Sequence, residues 1–133
     1  MPAEFSCSFR IYYEDTDSGG VVYYANYLKF AERARTEWLR SLGFEQSALL
    51  KDDSVMIVVC HCSIDYLSPA RLDDEITIET YLQEMGKVRM TMRQSIRRES
   101  MDLAQLTVEL ACVNTAGKPV RWPQALSGAL EKK

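Results

Sequence analysis

Histidine is nearly missing from this chain: a single imidazole, His61, stands among 133 residues. Any Ser-His-Asp or Cys-His nucleophile would have to use it. It lies within a stretch of strand periodicity rather than beside a candidate nucleophile, and no Gly-x-Ser-x-Gly elbow accompanies it. Glycine is sparse too, and neither Gly-x-Gly-x-x-Gly nor a glycine-rich loop ending in Lys-Ser or Lys-Thr occurs, so the common nucleotide-binding patterns are unsupported. Of the four cysteines, Cys60 and Cys62 are two apart, which in a strand points both to one face and keeps them from bridging each other. No second ligand pair with zinc spacing follows, so no metal is expected. Basic charge is in deficit, with a net charge of -3, and this argues against a nucleic-acid partner, which needs clustered Lys and Arg to neutralise phosphates. Long apolar runs are missing. The longest, around Val55–Cys60, falls far short of the roughly 20 residues that span a bilayer, so no transmembrane segment is expected. Residues 1–6 carry neither a basic region nor an apolar stretch of signal-peptide length, so the expectation is a cytoplasmic protein with reduced thiols.

What is present describes one domain over residues 1–133: 47% of them are hydrophobic and 26% charged, and a chain of this size buries about two-thirds of its unfolded surface without disulfides or metal. Phe5, Cys7, Phe9, Ile11 and Tyr13 alternate with mainly polar residues, the period of a half-buried strand. After a turn-rich loop, Tyr27, Ala31, Ala34, Trp38 and Leu42 recur at steps of four and three, with Leu28, Phe30 and Leu39 widening the stripe. This predicts one long helix, with Asn26 as N-cap, Gly43 as its stop and an Arg33–Glu37 pair on its wet face. Four further strands are predicted. Met56, Val58, Cys60, Cys62, Ile64 and Tyr66 share one face of the first. The others carry Ile76, Ile78 and Leu82, then Val88, Met90, Met92 and Ile96, then Leu106, Val108, Leu110 and Cys112. Met85-Gly86 suits a hairpin, and Leu130–Lys133 reads as a solvated tail.

About five strands each offering one apolar face, with one long helix to cover them, predict an α+β fold in which an antiparallel sheet wraps the helix. Exposed strand edges and leftover apolar surface then call for a second copy of the chain, so a homo-oligomer is expected.

The loop between the first strand and the helix, Glu14-Asp15-Thr16-Asp17-Ser18-Gly19-Gly20, holds three carboxylates within four residues. One reading is a solvated turn whose Asp side chains bind their own backbone. The other follows from position, because a helix N-terminus offers unpaired N–H donors that stabilise an oxyanion while a nearby carboxylate attacks or deprotonates water.

The stretch Tyr12-Tyr13-Glu14-Asp15-Thr16-Asp17-Ser18-Gly19-Gly20-Val21-Val22-Tyr23, followed by Ala25-Asn26-Tyr27-Leu28-Lys29-Phe30 and Glu32-Arg33-Ala34-Arg35-Thr36-Glu37-Trp38-Leu39-Arg40, resembles the hotdog-fold acyl-CoA thioesterases of the 4-hydroxybenzoyl-CoA thioesterase type. The likeness is strongest to their YbgC-like, Tol-Pal-associated branch. Pro69-Ala70-Arg71-Leu72-Asp73-Asp74 is a second match. The resemblance implies a hotdog fold, an oligomer built from dimers, and hydrolysis of acyl-CoA without metal or organic cofactor. Carried over by position, it implies Asp17 as nucleophile or general base and the backbone N–H of Tyr24 as donor to the thioester oxygen. It also implies Tyr13 as a residue lining the site, although a core position reads equally well. Many members of the branch carry His immediately before Ala-Asn-Tyr, where this chain has Tyr24, so no imidazole role carries over there. By resemblance to a basic turn, Lys87 and Arg89 would meet the ligand's phosphates; plain solubility is the other reading of these two residues. Cys60, Cys62, Met90 and Met92 are expected in the core or lining an acyl pocket. The rival to hydrolysis is a non-catalytic module on the same fold that binds acyl-CoA or acyl carrier protein.

Overall fold

A computed structural model describes residues 3–131. Five strands form one antiparallel sheet, β1 (Phe5–Arg10), β2 (Val55–Tyr66), β3 (Glu75–Met85), β4 (Arg89–Arg98) and β5 (Met101–Asn114), in the order β1-β3-β4-β5-β2. The long helix α1 (Asn26–Ser41) lies against the inner face and buries Tyr27, Phe30, Ala31, Ala34, Trp38 and Leu39. This is the α+β hotdog architecture that the residue pattern and the resemblance imply, a sheet wrapped around one helix. Between α1 and β2 come a single helical turn, α2 (Gln46–Ala48), and a π-turn at Leu49–Asp53.

Inward positions alternate as expected on β1, where Phe5, Cys7 and Phe9 are half-buried between exposed neighbours, and on β4, where Met90, Met92 and Ile96 are buried. Two hairpins join the strands: Gly86 N–H donates to Arg89 C=O at 2.8 Å, and an added Cβ at Gly86 would meet that oxygen at a tight 3.1 Å. At the other end Glu99 turns the chain from β4 to β5 with φ of 56°. The helix stops at Gly43, whose φ of 93° suits the left-handed region.

Five expectations are corrected. β2 does not keep one inward face: its register to β5 shifts between Val59 and His61, so Val55 and Ile57 face the core before the bulge and Ile64 after it. The extra residue inverts the alternation. Cys60 and Cys62, expected in the core or an acyl pocket, are exposed because β2 is the sheet's edge strand, whereas Met90 and Met92 are buried. Asn26 is the first helical residue, not the N-cap, and its Nδ2 donates to Asp15 C=O at 2.9 Å. Glu37 pairs with Arg40, leaving Arg33 over the Phe30 ring at 5.7 Å. The C-terminal segment is helical, α3 (Gln124–Glu131), with Leu126 and Leu130 fully buried beside Trp38 and Trp122, so it completes the core instead of trailing in solvent. The expected tail's last two residues lie outside the described residues.

Among the described residues no helix is long and apolar enough to cross a membrane.

The chain between β2 and β3 is clasped by Asp74. Its Oδ2 accepts from Arg71 N–H at 2.8 Å and from Arg98 Nη1 at 2.6 Å, and Arg98 also donates to Pro69 C=O at 3.2 Å. Burial pushes the Asp74 carboxyl up, but the Arg71 N–H and the Arg98 guanidinium outweigh it and hold the group below its ordinary value. A depressed native pKa contributes stability above the unfolded value and loses it as pH falls through the native one. Asp74→Asn should therefore cost about 1–2 kcal/mol at pH 7. Urea titrations should show that difference shrinking once the pH drops below the carboxyl's ordinary value of 3.8. An equal loss at neutral and at strongly acidic pH would contradict the charged clasp.

Candidate active site

The loop before α1 folds into a small hairpin. Thr16 bridges Val22, Asp17 N–H donates to Val21 C=O at 2.9 Å, and Gly20 N–H returns to Asp17 C=O at 3.1 Å with φ of 80° at Gly20. Asp17 thus sits at the hairpin's tip, exposed, with Oδ1 accepting from Gly19 N–H at 2.8 Å. A Cβ on Gly19 would lie 3.2 Å from that oxygen, a tight contact. Asp15 works differently. Its Oδ2 accepts from Tyr12 N–H at 2.8 Å and its C=O accepts from Tyr23 N–H at 3.0 Å, so it ties the loop's two arms together.

At the hairpin's other arm the chain enters α1. Asn26 N–H donates to Tyr23 C=O at 2.9 Å, while the N–H groups of Tyr24 and Ala25 donate to no protein acceptor among the described residues. Ala25 is the helix's N-cap and Tyr24 the residue before it, so both donors lie at the end where the helix dipole is positive. Asp17 lies at the tip of the hairpin and Tyr24 directly after its second arm.

Around Tyr24 the structure gathers an aromatic group that the sequence pattern does not announce. Tyr66, at the end of β2, donates through its hydroxyl to Tyr24 C=O at 3.0 Å and packs edge-on against Tyr24 at 6.1 Å and Tyr27 at 5.5 Å. Tyr27 is buried, and its hydroxyl oxygen accepts from Ala70 N–H at 2.9 Å. Burial raises the pKa of both phenols, so each holds its proton at neutral pH. With Val22, Leu67, Ser68 and Pro69 they line a cavity of about 270 Å³. Tyr66 reads in the sequence as one more alternating strand residue; the only signal toward it is the Ser68-Pro69-Ala70 break that follows.

Tyr13 is not a core residue. It is 82% exposed and lines a different groove, of about 500 Å³, with Arg10, Tyr12, Leu72 and Asp73. Lys87 and Arg89 are separated by their partners. Arg89 Nη1 holds Glu109 at 2.8 Å, and Lys87 instead lines a cleft of about 760 Å³ with Arg121, Trp122 and Gln124. That cleft lies at the Met85 end of β3, roughly 30 Å along the strand from the end that borders the Asp17 loop. His61 is exposed on β2.

Residues 19–105 match the sequence model of the thioesterase superfamily. The acyl-CoA thioesterase YbgC of Haemophilus influenzae is 44% identical over 126 residues, covering 94% of this chain and 93% of that protein. The acyl-CoA thioester hydrolase YbgC of Escherichia coli O6:H1 is 41% identical over 124 residues, covering 92% of each. Among solved structures, a probable thioesterase from Bartonella henselae superposes with a TM-score of 0.86 at 38% identity, covering 89% of this chain and 98% of its own. The chain belongs to the thioesterase superfamily, in its hotdog-fold, YbgC-like branch.

Proposed function

We propose that the protein hydrolyses acyl-CoA thioesters, with Asp17 as the reacting carboxylate and the start of α1 as the oxyanion site. The observation that carries this reading is the pair of N–H groups at Tyr24 and Ala25, without a protein acceptor among the described residues, set at a helix start that adjoins the hairpin of Asp17. A thioester carbonyl oxygen gains negative charge as its carbon turns tetrahedral, and donors fixed before the reaction stabilise that charge without reorganising. Acting as base, Asp17 takes a proton from water as the water oxygen bonds to the carbonyl carbon. The C–S bond then breaks, and the proton passes to the departing thiolate. Acting as nucleophile, Asp17 itself bonds to the carbonyl carbon, expels the thiolate and is freed when water attacks the resulting anhydride. Neither route needs an imidazole, which fits Tyr24 at the position where many relatives carry His.

Tyr24, Tyr27 and Tyr66 would border the acyl group, and the cleft of Lys87 and Arg121 would supply cations for phosphates. Within one copy that cleft is too distant to serve the same ligand. β2 is a 12-residue edge strand with exposed Val58, Val59, Cys60 and Cys62, the kind of edge that a second copy covers. Antiparallel pairing of two β2 edges would set the partner's Val55 end, and with it the basic cleft, toward the Tyr24–Tyr66 cavity. A homodimer or a tetramer of such dimers is therefore part of this reading.

A panel of acyl-CoAs with detection of released thiol tests the activity. Asp17→Asn should lower kcat by about 10²–10⁴ on the best substrate with folding intact, and Asp15→Asn should cost less because its work is to tie the loop. Near-wild-type turnover by Asp17→Asn, or greater damage from Asp15→Asn, would contradict the assignment. Tight acyl-CoA or acyl carrier protein binding without thiol release would return the protein to a binding module. Sedimentation at micromolar concentration should give a dimer or tetramer, and a monodisperse monomer would refute the edge pairing.

A further inference from the structure

The two N–H groups at the start of α1 belong to consecutive peptide units, and a trans peptide is planar, so whatever holds the carbonyl of a unit also aims its N–H. The first unit, Tyr23 C=O with Tyr24 N–H, is held by the main chain: its carbonyl accepts from Asn26 N–H at 2.9 Å. The second unit, Tyr24 C=O with Ala25 N–H, has weaker main-chain support. Its contact from Tyr27 N–H is 3.4 Å long, beyond the ordinary range for an amide donor. The shorter contact comes from a side chain 42 residues away, the Tyr66 hydroxyl at 3.0 Å. That hydroxyl is itself held in place. Tyr66 closes β2 opposite Ala104 of β5, and its ring stands edge-on to Tyr24 and to Tyr27, whose own hydroxyl is anchored by Ala70 N–H.

We propose that Tyr66 is a positioning residue for the hydrolysis: by donating to Tyr24 C=O, its hydroxyl aims the Ala25 N–H at the thioester oxygen and strengthens it as a donor, a role that rests on the start of α1 being the oxyanion site. A carbonyl that accepts a hydrogen bond polarises its own peptide, and the N–H of that peptide then carries more positive charge. The benefit is greatest for the charge that develops on the oxygen in the transition state, so the hydroxyl serves turnover more than substrate binding. The contact lies within one copy of the chain and needs no partner. The ring of Tyr66 has a separate place, in the wall of the cavity that would border the acyl group. Substitution separates the two.

Tyr66→Phe keeps the ring and removes only the hydroxyl, whereas Tyr66→Leu removes both. On the best acyl-CoA of the panel, Tyr66→Phe should lower kcat about tenfold and leave KM within about twofold, and Tyr66→Leu should raise KM as well. A general loosening of the fold does not give that split. The second readout is spectroscopic and needs no turnover. In 15N-labelled protein without ligand, the Ala25 amide nitrogen should move upfield in Tyr66→Phe as its peptide loses polarisation, while the Tyr24 amide, whose peptide is held by Asn26, moves far less. Unchanged kcat in Tyr66→Phe beside an inactive Asp17→Asn, or an Ala25 amide that stays in place in folded Tyr66→Phe, overturns the proposal and leaves the thioesterase reading intact. A Tyr66→Phe variant whose only defect is a raised KM also overturns it, since the hydroxyl would then be a substrate contact. Failure of the wild type to turn over any acyl-CoA sinks the thioesterase reading instead, and the Ala25 shift then decides alone whether Tyr66 aims that N–H.

Discussion

The attachment of the loop before α1 to the chain after β2 sets everything else at the candidate site. Val22 N–H donates to Ala70 C=O at 2.8 Å, Val21 bridges Arg71, and Tyr27 takes the Ala70 N–H through its hydroxyl. Asp74 and Arg98 hold that same segment to β4. The hairpin that presents Asp17 is therefore fastened to the sheet, and the first turn of α1 is fixed by the same contacts. Preorganisation of this kind is what a helix start needs to act on developing charge, since donors that must first move lose the advantage they confer.

The sheet and helix were largely legible in the sequence, because β1, β4, the first part of β3 and the middle of β5 keep a period of two and α1 keeps its apolar stripe. β2 was legible as a strand but not in the facing of its first half, because one extra residue between Val59 and His61 inverts the alternation, and nothing in Val58-Val59-Cys60-His61 marks it. α3 escaped notice because it is short and its pattern gives only Leu126 and Leu130 to the core. Thr80 and Gln94 occupy inward positions opposite each other, and reading only apolar residues passes over them. The buried Arg35 is hidden the same way: on the helical wheel it falls on the sheet-facing side, where an arginine reads as a flank.

For the site, the loop motif located Asp17 on the hairpin and Tyr24 directly after it, since the Gly19-Gly20 turn and the helix start are adjacent in the chain. Tyr66 was missed because its role depends on contacts 42 residues apart. The sequence neighbours Lys87 and Arg89 diverge for a local reason. Lys87 stands outside the strand at its turn, whereas Arg89 is already on β4 opposite β5 and within reach of Glu109. The aromatic group and the basic cleft thus occupy different parts of one subunit, and a paired assembly would draw the two together.

The central claim is that the start of α1 receives the thioester oxygen. The most direct measurement follows the backbone amides of 15N-labelled protein during titration with a non-hydrolysable acyl-CoA analogue that keeps a carbonyl in place of the thioester. The account predicts that the Tyr24 and Ala25 amide protons shift downfield as they gain an acceptor, together with perturbation at Gly19 beside Asp17. Saturable binding that leaves both amides unmoved and perturbs only residues distant from α1's first turn would contradict it.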